Sequence, residues 1–287
     1  MKRPVILLTG AAGQLGFELA RLLPAHGELT ALDRAALDLA DAEAVAATVR
    51  RVKPQIIVNA AGYTAVDRAE SEPALADAIN ARAPAILAEE AKRLDALLIH
   101  YSTDYVFDGA SSEAYDERAL PNPLNVYGRS KLAGERAIAS AGGAHLVLRT
   151  SWIYGWHGQN FLLTMKRLAA TRDELRVVAD QFGVPNWSRV LAEATATLLA
   201  RGAAALARKS GIYHLSGRGR ASWFDFARAI FDDAEPPRVI PIATAEYPTP
   251  ARRPASAVLA TSKFEESFGF ALPDWRESLA ACKVAAA

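Results

Sequence analysis

The chain has a single cysteine, Cys282, so no intrachain disulfide can form, and it suits a reducing compartment such as the cytoplasm. With no second thiol to pair with, Cys282 reads as an inert residue rather than a reactive one. No stretch approaches ~20 unbroken apolar residues, so no membrane-spanning helix is expected. The start, Lys2-Arg3 followed by Val5–Leu8, has the order of a signal peptide, but its apolar run is too short and is broken by glycines and Glu18. A buried strand explains it better. Charge of one sign is lacking too. The 33 basic and 32 acidic residues leave a net charge of +1, so neither nucleic acid nor a membrane surface is an expected partner. The five histidines and the acids fall in no metal-ligand spacing, and no metal site is expected from them. Repeats, low-complexity tracts and obvious flexible linkers are absent.

What is there is an alternation. Short continuous apolar runs at Val5–Leu8, Leu29–Leu32, Ile56–Val58, Leu97–Ser102 and Leu146–Leu148 read as strands. Between them, helical patterns cover Leu15–Leu23, Ala42–Val52, Ala74–Leu94 (which Pro84 should bend or split) and Val126–Ala139. Runs apolar at every position, alternating with amphipathic helices, predict a parallel sheet covered on both faces. After Arg149 the pattern loosens. Asn160–Ala170, Val190–Ala200 and Trp223–Phe231 look helical, Gly211–Leu215 looks like a strand, and the proline-rich stretch 236–254 should be irregular. The expected architecture is α/β: a Rossmann-like doubly wound parallel sheet over residues 1–150, with a smaller substrate-binding lobe over 151–287. That boundary is approximate, and the chain is free to cross back over it.

The first strand runs into Gly10-Ala11-Ala12-Gly13-Gln14-Leu15-Gly16, which opens the first helix. Glycines there permit a tight turn and let the backbone approach a pyrophosphate, while the helix N-terminus supplies N–H donors and partial positive charge. The spacing is G-x-x-G-x-x-G, and its place at the first strand–helix junction favours a dinucleotide over a plain glycine turn. Asp33 ends the second strand, 17 residues after Gly16, where a carboxylate can accept from an adenosine ribose and favour NAD. Arg34 follows and can instead pair with a 2′-phosphate, which favours NADP, so NADH and NADPH both stay open. Asp38-Leu39 is placed to flank the adenine, and Asn59-Ala60-Ala61-Gly62 ends the third strand with small residues that let a cofactor lie against the strand ends.

Tyr127 and Lys131 are four apart in a helical segment and so share one face. A lysine beside a tyrosine favours the phenolate and lowers the tyrosine pKa, making it a proton donor or acceptor near neutral pH. The fourth strand runs off into Ser102-Thr103-Asp104-Tyr105-Val106-Phe107, where a hydroxyl can hold a carbonyl oxygen as charge develops on it.

These motifs together resemble the extended short-chain dehydrogenase/reductases. Thr64-Ala65-Val66-Asp67-Arg68-Ala69-Glu70, Pro123-Leu124-Asn125-Val126-Tyr127-Gly128, Arg149-Thr150-Ser151-Trp152-Ile153-Tyr154 and Tyr247-Pro248-Thr249-Pro250 narrow the resemblance to members acting on a 4-keto dTDP-sugar. The resemblance runs from the N-terminus to about Trp275. It implies a catalytic trio of Thr103, Tyr127 and Lys131, and NADPH- or NADH-dependent reduction of the C4 ketone of dTDP-4-dehydro-L-rhamnose to dTDP-L-rhamnose, a precursor of cell-surface polysaccharide. Tyr127 is then the acid, and Lys131 binds the nicotinamide ribose and tunes Tyr127. The same resemblance implies that Gly10, Gly13, Gln14, Leu15, Gly16, Asp33, Arg34, Asp38, Leu39, Ala60, Ala61, Gly62 and Thr64 line the cofactor site together with Tyr127 and Lys131. It also admits Mg2+ and a homodimer. Related dehydratases carry Glu where this chain has Tyr105, which disfavours that activity. Another nucleotide-sugar reductase or epimerase, or a non-catalytic NADP-binding regulatory subunit, remains the alternative.

For the substrate side the expected residues are Thr103, Asp104, Tyr105, Trp152, Asn160 and Arg253. Trp152 offers a stacking surface for sugar or base. Arg253, ahead of its neighbour Arg252, offers a bidentate grip on a diphosphate. Asn160 and Gln181 are polar residues expected to line the pocket.

Overall fold

Runs of Val, Ile and Leu with no polar face must be covered on both sides, and the computed structural model covers them so. It describes residues 3–231 and 237–285; Lys2 and Pro236 of the expectations above lie outside the described residues. In chain order the first half alternates β1 (Val5–Thr9), α1 (Gln14–Leu22), β2 (Glu28–Leu32), α2 (Ala42–Val52), β3 (Ile56–Asn59), the short α3 (Val66–Ala69) and α4 (Pro73–Asp77), α5 (Ala83–Arg93), β4 (Leu97–Thr103), α6 (Val126–Ala141) and β5 (His145–Thr150). The rest supplies β6 (Ile153–Tyr154), α7 (Phe161–Ala169), β7 (Glu174–Val178), β8 (Phe182–Gly183), β9 (Asn186–Trp187), α8 (Ser188–Leu199), α9 (Ala203–Ala207), β10 (Gly211–His214), β11 (Ala221–Ser222), α10 (Trp223–Phe231), β12 (Arg238–Ile242), α11 (Ser262–Phe268) and α12 (Trp275–Val284).

The central sheet is six-stranded and parallel, in the order β10-β5-β4-β3-β1-β2. One face packs Ile6, Leu8, Val58 and Leu148 against Leu15 and Leu19 of α1 and Leu191 and Leu198 of α8. The other packs Leu7, Ile57 and Val147 against Val45 of α2, Leu87 of α5 and Ile138 of α6. This is the doubly wound architecture that the alternation predicts. The chain leaves β1 towards β2 and returns on the far side of β1 to β3, so the strand order reverses between β1 and β3. A crevice opens outside their carboxyl ends, the usual ligand position in such sheets.

The sixth strand, β10, comes from residues 211–214 and pairs with β5, so the central sheet draws on both halves of the chain. A separate core gathers Tyr154, Leu162, Val177, Phe226, Trp275 and Cys282 beneath α7, α10 and α12.

Two local expectations are corrected. The stretch 236–254 is not irregular throughout, because Arg238–Ile242 forms β12, parallel to β7. Pro241 is tolerated because β12 pairs on one side only, so its missing N–H breaks no ladder. The helical run expected over 74–94 is interrupted ahead of Pro84 rather than at it: residues 78–82 form a π-helical turn, and Pro84 lies in the first turn of α5.

Candidate active site

The glycine loop lies at the reversal point. Gly10 has φ +77°, and a Cβ there would lie 2.6 Å from the Ala61 nitrogen, so only glycine lets the loop and the end of β3 meet. At Gly16 a Cβ would come within 1.9 Å of the Gly10 oxygen, so glycine is also what lets α1 start against the loop. Gly13 is the N-cap of α1 and brings no side chain to the helix end, which leaves the first N–H groups of α1 facing the crevice. Ala11 N–H donates to Leu32 O (3.0 Å) and ties the loop to the end of β2. Gln14 follows Gly13, and its Oε1 is buried without a hydrogen-bond partner among the described residues. Leu15 points into the core.

At the end of β2, Asp33 Oδ1 accepts from Ala36 N–H (3.0 Å), while Arg34 and Asp38 stand 3.9 Å apart with both side chains largely exposed. Leu39 is buried in the core, so its side chain is not part of the rim. At the end of β3, Ala60 N–H donates to Thr9 O (3.2 Å), and Gly62 lies close enough to α6 that a Cβ would be 3.9 Å from Lys131 Nζ. Thr64 opens the turn into α3 through its carbonyl, which accepts from Val66 N–H (3.0 Å).

Thr103 ends β4, and Tyr127 and Lys131 stand on α6. Asn125 caps α6, accepting from Gly128 N–H (2.8 Å), and fixes where that helix begins. The Thr103 hydroxyl stands close enough to the Tyr127 phenol to bear on its titration. Thr103 Oγ1 donates to Asp104 Oδ1 (3.0 Å) and accepts from Tyr105 N–H (3.1 Å). Lys131 Nζ donates to Tyr101 O (2.6 Å) and faces His100 Nε2 at 3.4 Å. The trio expected from the sequence is therefore brought together, beside the loop that carries Gly62.

The electrostatics differ from expectation. Tyr127 is pushed up to about 12, chiefly by burial; the nearby Thr103 hydroxyl pulls it down and the Asp104 charge pushes it up. The lowering expected from Lys131 is not seen, because Nζ is turned to a backbone carbonyl and an imidazole. Burial brings Lys131 down to about 8 against the upward pull of Glu135. Burial likewise lifts Asp104 to about 7, and its Oδ2 has no hydrogen-bond partner among the described residues. A phenol, an ammonium and a carboxyl that all titrate away from their usual ranges in one crevice are what proton-transfer chemistry needs.

Tyr105 meets Tyr127 edge-on, ring centroids 5.8 Å apart. Trp152 follows β5 with φ +39°, a strained conformation for a bulky residue, and stacks on Trp223 of α10 at 3.5 Å. Arg253 reaches the site, but its Nη1 and Nη2 donate to Asp67 Oδ1 (3.0 Å) and Oδ2 (2.8 Å). Arg252 contributes its carbonyl, which accepts from Asn125 Nδ2 (2.8 Å). Asn160 caps α7 through Leu163 N–H (3.1 Å), and its Nδ2 donates to Gly155 O (2.9 Å), so both polar ends are engaged locally. Gln181 Nε2 donates to Thr244 Oγ1 (3.1 Å), tying the loop after β7 to the chain after β12. His157 Nε2 contacts Ala12 O (2.9 Å), and its ring stacks on Phe17, joining the 155–160 loop to the glycine loop.

Sequence reasoning passed over several of these. Asn80, in the π-helical turn, accepts from Tyr63 N–H (2.8 Å) and donates to Tyr63 O (3.0 Å) and Ser130 Oγ (3.0 Å), clamping the Gly62 loop to α6. Asp67 and Trp223 act only through partners far along the chain. Asn80 stands among other polar residues of its helical stretch, Asp77 and Arg82 among them, so no local signal singled it out. Among the described residues no group of three or more His, Cys, Asp or Glu is placed to hold a metal ion, and no helix is long and apolar enough to cross a membrane.

Comparison with known proteins adds names to this geometry. The family described as RmlD substrate binding domain matches residues 3–286. A dTDP-4-dehydrorhamnose reductase of Burkholderia thailandensis is 48% identical over 289 residues, covering 96% of this chain and 97% of that protein. The dTDP-4-dehydrorhamnose reductase of Escherichia coli K12 is 46% identical, covering 94% of each. Among solved structures, a dTDP-4-dehydrorhamnose reductase from Bacillus anthracis in complex with NADP superposes with a TM-score of 0.93 at 36% identity, covering 99% of this chain and 100% of that one.

Proposed function

The chain belongs to the RmlD substrate binding domain family, and on that premise we propose that it is an NAD(P)H-dependent reductase that converts dTDP-4-dehydro-L-rhamnose to dTDP-L-rhamnose. The observation that carries this reading is the convergence of Thr103, Tyr127 and Lys131 beside the Gly10–Gly16 loop at the strand-order reversal. The residues present fit a nicotinamide dinucleotide. Gly10 and Gly16 leave backbone where side chains would stand, and the open start of α1 offers N–H donors to a pyrophosphate. Gly13, Gln14 and Leu15 complete that loop. Asp33, Arg34 and Asp38, with the backbone of Leu39, form the adenosine end, and Ala60, Ala61, Gly62 and Thr64 the nicotinamide end, with Tyr127 and Lys131. When bound, the coenzyme supplies the hydride.

Tyr127 is the proton donor to the substrate oxygen. Its raised pKa keeps the phenol protonated at neutral pH, the form an acid needs. Thr103 meets the same oxygen from the β4 side by turning its one hydroxyl hydrogen from Asp104 Oδ1 to it, while the bond it accepts from Tyr105 N–H keeps Oγ1 in place. Lys131 places a positive charge under the reacting end and holds the coenzyme ribose. Asp104, Tyr105 and Trp152 meet the sugar, with Asp104 Oδ2 free to bond a hydroxyl. Arg253 and Asn160 serve the substrate side by shaping its walls: the first anchors Asp67 beside Tyr105, the second sets the start of α7. Residues 1–150 carry the coenzyme and most of 151–287 the substrate. Among the described residues no group of three or more His, Cys, Asp or Glu is there to hold Mg2+, and the ion enters no step of the reaction. A cytoplasmic homodimer completes the proposal and enters none of its chemistry.

The test mixes the protein with dTDP-4-dehydro-L-rhamnose and NADPH, then NADH, and follows absorbance of the reduced nicotinamide. Stoichiometric oxidation is expected, with a loss of about 10²- to 10⁴-fold in Tyr127→Phe. No oxidation with either coenzyme would sink the substrate, and an unimpaired variant would sink Tyr127 as the acid.

A further inference from the structure

Behind Lys131 lies a buried polar chain that the reaction above does not use. Asn59 and His100 are opposite each other in the β3–β4 register. Asn59 Oδ1 takes two donors, Thr9 Oγ1 (2.7 Å) and Ala61 N–H (3.2 Å). Its NH2 group is thereby turned to His100 Nδ1, 3.0 Å away. An amide NH2 only donates, so Nδ1 accepts, and a neutral ring then carries its proton on Nε2. That Nε2 faces Lys131 Nζ at 3.4 Å. Two hydrogen-bearing nitrogens therefore confront each other. The ammonium gains no acceptor from the ring and meets the positive end of its dipole, whereas a neutral amine can accept from Nε2–H.

We propose that His100 is a positioning residue: a neutral dipole, locked in its Nε2–H tautomer by Thr9 and Asn59, that lowers the proton affinity of Lys131 and keeps Nζ on the Tyr101 carbonyl. The inference rests on Lys131 being the partner of Tyr127. His100 is a fixed end and not a shuttle, because Nδ1 is occupied by an amide that has no proton to pass on. Burial, and then the Lys131 charge, hold the ring well below the usual histidine range, consistent with a permanently neutral imidazole. The titratable groups around the pair are Glu135, one turn along α6 and bound to Arg149 of β5, and Tyr127, one turn back, with Asp104 beyond β4. Strands β1 and β3 present the neutral Thr9 and Asn59, and the π-helical turn presents the neutral Asn80.

The experiment reads the ring nitrogens of isotope-labelled histidine by NMR, with His100→Gln identifying the signal. The wild-type protein is expected to show His100 as Nε2–H with an unprotonated Nδ1 throughout the neutral range. Its Nε2 shift should follow the Lys131 titration without turnover. Asn59→Asp sets a carboxylate at Nδ1, draws the proton there and turns Nε2 into an acceptor for Lys131. The Lys131 midpoint and the alkaline limb of kcat/KM should then both rise by about one pH unit, a tenfold change in proton affinity. His100→Gln, which offers Lys131 an amide oxygen, should move the limb the same way. A wild-type Nδ1–H tautomer would overturn the proposal, as would a tautomer flip in Asn59→Asp that leaves the Lys131 midpoint unmoved. Should Asn59→Asp not fold, the wild-type tautomer and the His100→Gln limb decide. A protein inactive as a reductase would count against the function above, while the ring shifts still decide this proposal.

Discussion

Lys131, in the first half of α6, and Arg149, near the carboxyl end of the following strand β5, are both buried cations, and their surroundings are opposite. Arg149 is 2% exposed and forms a two-point ion pair, Nε to Glu135 Oε1 (2.9 Å) and Nη2 to Glu135 Oε2 (2.7 Å), with the Phe107 ring 5.1 Å away. Its charge is matched on the spot, and it also holds the neighbouring His214, which burial first and the arginine second push down to about 3. Lys131 has a carbonyl and a neutral imidazole instead, and its nearest countercharge, Glu135, is already bound to Arg149. One cation is fixed and structural. The other is left adjustable, at a cost in stability. The difference teaches where to look for chemistry: at the buried charge whose partners are neutral.

The contrast breaks most sharply at the ion pair. Glu135→Ala leaves the Arg149 guanidinium buried and unpaired, and about 3–5 kcal/mol of unfolding free energy should be lost in urea titration. An unchanged midpoint would mean that the pair is not what holds β5 to α6. Lys131→Met should do the reverse. Activity falls by about 10²- to 10⁴-fold, while stability at neutral pH rises. The sign follows from a folded pKa near 8 set against 10.5 in the unfolded chain. The buried ammonium costs stability in full below about pH 8, and that cost is relieved as pH climbs towards 10.5, where the variant's advantage should vanish.

Asp104→Asn sharpens the same contrast for a carboxyl. Asp104 is lifted from 3.8 to about 7, so the native state holds its proton more tightly. Wild-type stability should decline as pH rises between those values and level off above them, and the variant should lack that decline in a pH series of melts. Asn125→Ala, which removes the cap of α6, should cost about 1 kcal/mol through that cap and shift the melting midpoint by a few degrees. A larger loss would show that its bond to the Arg252 carbonyl carries more than the cap does.

The first half of the fold was legible because strands covered on both faces write themselves as unbroken apolar runs, and Ala42–Val52 was bounded to the residue. β7 and β12 were not. Glu174-Leu175-Arg176 alternates over too few residues to stand out, and Pro241 argued for a loop until the one-sided pairing explained it. In the site, Gly10, Gly16, Tyr127 and Lys131 announced themselves by local spacing. His100, Asn80 and Asp67 did not, because each acts through a partner set by the tertiary fold: His100 through Asn59, Asn80 through Ser130, Asp67 through Arg253. The pKa expected for Tyr127 went the other way because a helical spacing of four does not say where a flexible lysine will aim its nitrogen.

The return of residues 211–214 to the outer side of β5 bears on how such proteins can be recombined. A cut at residue 150 would strip the sheet of its last strand and bare the edge of β5 to other chains. A lobe with a new sugar preference therefore cannot be exchanged at one crossover. It has to be grafted as inserts on either side of β10, with that strand retained from the recipient, so that sheet and lobe are inherited as an interleaved whole.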